Sequence, residues 1–123
     1  DRAIDDEYHA EEIYLAVLED FGDIIPFSNV VYAEARHSAS IAGLYLNRGL
    51  TVPANDWNAD NVPHFVSVAA ACAAAVQAEE ANINMYDEML KLELPFDVER
   101  VFTNNRWASA QNHMPAFQLC PGS

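Results

Sequence analysis

Glu34 and His37 stand three residues apart in the series Val30, Glu34, His37, Ile41, Leu44 and Arg48, which keeps a three-to-four spacing and is otherwise largely apolar. On a helix that spacing puts a carboxylate and an imidazole on one face, a turn apart, where both reach the same point. A charge on an apolar stripe is costly unless a partner or a metal ion satisfies it. Glu7 and Glu79 fall on two further helical segments, the second inside the stripe Val76, Ile83, Tyr86 and Leu90, and His113 falls on a fourth. Three carboxylates and two imidazoles are donors suited to iron or manganese, and imidazole also suits copper and zinc. The competing reading pairs Glu7 and Glu79 with Arg36 or Arg106 and leaves His37 and His113 as satisfied core histidines. Glu80, beside Glu79 but about 100 degrees round the helix, is the weaker alternative at that place.

Four helices can position these groups. The periodicity predicts them over residues 4–20, 29–48, 63–92 and 98–117. Asp5, Asp6 and Glu7 suit the positive end of the first helix dipole, and Gly22 and Gly49 mark helix ends. Ser28 and Asp97 are expected as N-caps, and Pro63 as a first helical residue. Between the second and third helices lies a long irregular stretch, 51–62, rich in Asn and Asp around Trp57. It lacks the glycine and glutamate of a calcium-binding EF-hand loop, so a surface crossover is the better reading. No strand pattern and no clean internal repeat is present. The expected fold is all-α: one domain over residues 1–123, an antiparallel up-down-up-down four-helix bundle with a long crossover from helix two to helix three.

Composition narrows the partners. A formal net charge of -13, with Lys91 the single lysine, repels nucleic-acid phosphate and anionic membrane alike. No uninterrupted apolar stretch reaches the roughly 18 residues of a membrane span. Glycine-rich phosphate loops, nucleophile elbows and cysteines at ligand spacing are missing. Cys72 and Cys120 would meet at one end of an up-and-down bundle, and a disulfide or two unpaired thiols both fit. A disulfide would favour a periplasmic or secreted setting over the cytoplasm. The chain opens on Asp1 without an apolar leader, for which processing and trimming of the chain are both expected reasons. A homodimer and a monomer are both open.

Glu7 followed by Tyr14, Glu34-x-x-His37, Glu79-Glu80-Ala81-Asn82-Ile83 and Asn112-His113-Met114-Pro115-Ala116-Phe117 together resemble the ferritin-like superfamily of ferritins and rubrerythrins. With Glu12-Ile13-Tyr14-Leu15-Ala16 and Arg36-His37, they are similar to a bacterial ferritin-like family described only as a domain of unknown function. The resemblance implies a carboxylate-bridged di-metal centre, often di-iron, that reacts with dioxygen or peroxide, as a ferroxidase, oxidase or peroxidase-like protein. It implies Glu7, Glu34, His37, Glu79 and His113 as ligands, Glu34 as the bridge, and Tyr14 as a catalytic tyrosine that hydrogen-bonds at the site or transfers an electron. Two departures stand out. Ala110 lies three residues before His113, where such fourth helices often carry a glutamate, and Asn82 replaces an expected acid with a neutral, weaker donor. Both lower the negative charge offered to cations. A mononuclear or copper-binding protein, with Met114 as a further weak ligand, is therefore an alternative, as is a non-catalytic secreted interaction module.

Overall fold

The computed structural model describes residues 2–120; the expected domain span also takes in residues 1 and 121–123, which lie outside the described residues. Four helices form the bundle. They are α1 (Arg2–Phe21), α2 (Phe27–Asn47), α3 (Val68–Leu90) and a fourth built of α4 (Phe96–Ala108), a π-helical turn (Ser109–His113) and α5 (Met114–Gln118). The fold is an antiparallel all-α bundle with a long α2–α3 crossover, the arrangement of a ferritin-like bundle. Packing follows that order, with α1 on α2 and α3, α3 on α4 and α5, and α2 on α4. No described helix is long and apolar enough to cross a membrane.

Local chemistry sets the helix ends. Gly22 and Gly49 adopt φ values of 87° and 66°, a left-handed conformation that glycine takes without steric cost, and so end α1 and α2. The third helix starts later than Pro63 predicts. Ser67 is its N-cap, its Oγ accepting from the Ala70 amide at 3.1 Å, because a side-chain acceptor satisfies a free helix amide and proline only removes one. Ser28 does not cap α2, which begins at Phe27 after Pro26. Nor does Asp97 precede α4: Pro95 does, and Asp97 instead forms an ion pair with Arg48 at the C-cap of α2, 2.7 Å between Oδ1 and Nη2.

Two apolar layers fill the interior. Tyr14, Val17, Phe27, Val30, Ala75 and Phe117 belong to one, and Ile4, Ile41, Leu44, Met85, Tyr86 and Phe102 to the other. The rings of Tyr14, Phe27 and Phe117 lie with centroids 4.9–5.6 Å apart, the tilted packing that aromatic quadrupoles favour. Between the two layers each helix buries polar side chains: Glu7, Glu34 with His37, Glu79 with Asn82, and Ser109 with His113. Cys72 and Cys120 form a disulfide, which ties the end of the fourth helix to α3.

The crossover lies along α1. Tyr8 Oη donates to the Pro53 carbonyl at 3.0 Å, and Trp57 stacks on His9 with centroids 3.9 Å apart and donates through Nε1 to Asp5. Its far end is held by His64, whose two ring nitrogens each lie 2.6 Å from an acceptor, Asp20 Oδ2 and the Ala59 carbonyl.

Candidate metal centre

Each helix contributes to the polar layer from the face that also carries its apolar residues, so the groups arrive buried. Glu7, Glu34 and Glu79 are at most 1% exposed, and His37 and His113 are 8% and 4% exposed. Five charged or titratable side chains at that depth need compensation. The arginines do not provide it. Arg36 is exposed, and Arg106 pairs with Asp87 at the surface.

The side chains converge as two triads, Glu7–Glu34–His37 and Glu34–Glu79–His113. Within each, one donor atom per residue lies within 4.8 Å of the others. Glu34 belongs to both. Its Oε1 lies 3.2 Å from His113 Nδ1, and its Oε2 lies 3.7 Å from His37 Nδ1. His37 Nδ1 donates to Glu7 Oε2 at 3.0 Å, and His113 Nδ1 donates to Glu79 Oε1 at 3.1 Å. The imidazoles stack with centroids 5.4 Å apart.

One atom stands out. Glu34 Oε2 is buried and has no hydrogen-bond partner. An unpaired carboxylate oxygen in the interior is costly, and a cation placed between the triads would satisfy it. The donor set agrees, since oxygen-rich sites with imidazole suit iron or manganese. Burial, oxygen and nitrogen donors, and the orphaned oxygen all fit a bound metal ion.

The outer oxygens are already engaged. Tyr14 Oη donates to Glu79 Oε2 at 2.6 Å. Tyr86 Oη and Asn82 Nδ2 donate to Glu7 Oε1 at 3.1 and 2.7 Å. Glu7 and Glu79 thus each keep one oxygen, Oε2 and Oε1 respectively, directed at the imidazole of their own triad. Burial first, and then the neighbouring carboxylate, push both phenols well above the ordinary tyrosine value, so they stay protonated and donate. Burial and then the charge of Glu34 raise Glu7 to about 7. Burial opposes charge on the imidazoles, but their bonds to the carboxylates overcome it and lift His37 to about 10 and His113 to about 9. Without metal, protons hold this cluster together.

Of the other residues singled out in the sequence, Asn82 is buried and serves as a donor to a carboxylate. Glu80 is exposed, and Met114 is half-buried beside His113. Sequence periodicity sets Ser109 on one face with Phe102, His113 and Phe117, and all four are buried, but it assigns no role at the site to Ser109, Tyr86 or Asn105. Asn105 Nδ2 donates to Tyr86 Oη at 3.2 Å, and Ser109 Oγ donates to Asn82 Oδ1 at 2.7 Å. Tyr86 does lie two turns beyond Glu79 on the same stripe, the one signal that pointed to it. No protein-family model matches the chain, and neither a curated protein nor a solved structure matches it.

Proposed function

We propose that this protein holds two iron ions between its helices and works as a ferroxidase, oxidase or peroxidase-like redox protein. The observation that carries this reading is Glu34, shared by two buried triads and left with an unpartnered oxygen. Glu7 and His37 would complete one metal's protein ligands, and Glu79 and His113 the other's, each metal keeping open positions. Bound iron would supply the exchange of electrons with dioxygen or peroxide. The chain's own residues do the rest. Tyr14 and Tyr86 restrict Glu79 and Glu7 to one free oxygen each, and the two apolar layers keep bulk water from the cluster. The resemblance to ferritins, rubrerythrins and the bacterial ferritin-like domains supports iron over manganese, copper or zinc. The disulfide supports a periplasmic or secreted setting, where such bonds persist.

The fourth helix favours a second reading. Among the described residues it adds His113 to the triads but no carboxylate, and so leaves three carboxylates for two cations. A single bound ion, iron or copper, answers that lower charge. Metal content decides between them: untagged protein is assayed for metal equivalents per chain, alongside His37→Ala. About two equivalents of iron support the di-iron reading, one equivalent of iron or copper supports the second, and no tightly held metal sinks both.

A further inference from the structure

The fourth helix changes its register where it meets the centre. Its buried positions run Phe102, Asn105, Ser109, His113 and Phe117. After the first step every interval is four residues, whereas an α-helix alternates threes and fours to keep one face. The π-helical turn accounts for this, for the Met114 amide bonds to the Ser109 carbonyl, five residues back, and the turn takes up an additional residue. The residue one turn before His113 on the buried face is therefore Ser109, which is 0% exposed, and Ala110 is rotated to a half-buried position. Ser109 is also connected to the centre. Its hydroxyl holds Asn82 Oδ1, which leaves the Asn82 amide donating to Glu7 Oε1 and to Asp6 Oδ2, each at 2.7 Å.

From this geometry we infer that Ser109 is the residue that sets how many carboxylates the centre presents. The π-turn puts it where a carboxylate from the fourth helix would join the triads, and its hydroxyl acts instead as a positioning group for Asn82 and, through Asn82, for Glu7. This rests on the metal-binding reading. It corrects the resemblance, whose three-residue motif assigns that place to Ala110.

Four proteins test it: wild type, Ser109→Glu, Ala110→Glu and Ser109→Ala, each titrated anaerobically with Fe(II) and melted with and without it. Ser109→Glu is expected to tighten the weaker Fe(II) site by about tenfold or more, and Ser109→Ala to loosen binding by about tenfold, the scale of change at groups that support metal ligands. Ala110→Glu is expected to leave affinity within about twofold of wild type. Without metal, Ser109→Glu buries a new carboxylate and lowers the melting midpoint by roughly 10 °C or more, while Ala110→Glu lowers it far less. Equal effects of the two glutamates, or tightening by Ala110→Glu alone, would overturn the inference. So would a Ser109→Glu chain that stays unfolded with Fe(II) present while Ser109→Ala folds. If wild type takes up no Fe(II), the metal reading fails by itself, and the metal-free melts still decide which residue faces inward.

Discussion

Replacing Glu34 by glutamine removes one charge and almost no volume, and it touches both triads together. In the metal-free protein that carboxylate faces two imidazoles and two other carboxylates, whose pulls oppose each other. The Glu34→Gln chain should therefore melt close to wild type without metal, within about 1 kcal/mol. With metal the two should part. A ligand that binds only the folded state at a free concentration 100 times its Kd contributes about 2.7 kcal/mol, so two sites contribute about 5 kcal/mol. For a chain of this length that corresponds to a rise of roughly 15–25 °C in the melting midpoint. Glu34→Gln should lose nearly all of the rise, and Glu7→Gln or Glu79→Gln about half, because each of those removes one triad. Thermal melts followed by circular dichroism, under anaerobic Fe(II) at fixed excess, measure all four. A Glu34→Gln protein that keeps half of the shift would refute the shared bridge, since the two triads would then fill independently of it.

Three further outcomes follow from the same structure. Metal-free protein should lose stability as pH rises from about 5 to 10. Glu7, held up to about 7 from 4.5, contributes fully only below 4.5, and His37 and His113, lifted from 6.5 to about 10 and about 9, contribute fully only below 6.5. All three bind more protons folded than unfolded, and metal must displace those protons, so the Fe(II)-induced shift should grow over the same range; a flat metal-free profile would count against this. Tyr14→Phe leaves Glu79 Oε2 buried without its donor and should cost about 1–3 kcal/mol in urea denaturation, whereas a change under about 0.5 kcal/mol would show that the hydroxyl is dispensable. The paired change Cys72→Ser with Cys120→Ser opens a loop that spans 48 positions and should cost about 2–4 kcal/mol, with an unchanged urea midpoint as the contrary result.

The burial of Glu7, Glu34, His37, Glu79 and His113 together is legible in the chain because carboxylates and imidazoles interrupt helical segments whose neighbours are apolar. Up-and-down connectivity adds the rest, bringing four such interruptions to a common depth. Tyr86 and Asn105 are not legible in this way. A tyrosine beside Ile83 and Leu90 reads as core, and its hydroxyl finds Glu7 only because α1 and α3 pack at one particular depth. The face of Ser109 is legible from helical spacing, but its place one turn before His113 is hidden by a different cause. The π-turn adds a residue, and Pro115 just beyond it is the one sign of irregularity in the sequence, so counting back three from His113 arrives at Ala110 on the half-buried side. Helix starts suffer from competing signals, as at α3, where Pro63 and Ser67 both qualify and the one with a side-chain acceptor prevails.

The sharing of Glu34 also has a consequence in time. Glu7, Glu34 and His37 all belong to the first 37 residues, so one complete donor set is present once α1 and α2 have paired as a hairpin of nearby segments. The second set draws Glu79 from α3 and His113 from the last stretch of the chain, and it closes only across long sequence separations, which form slowly. A chain emerging from its N-terminus thus completes its two halves in order. Metal captured by the early half would find Glu34 already turned toward the place where the second half arrives.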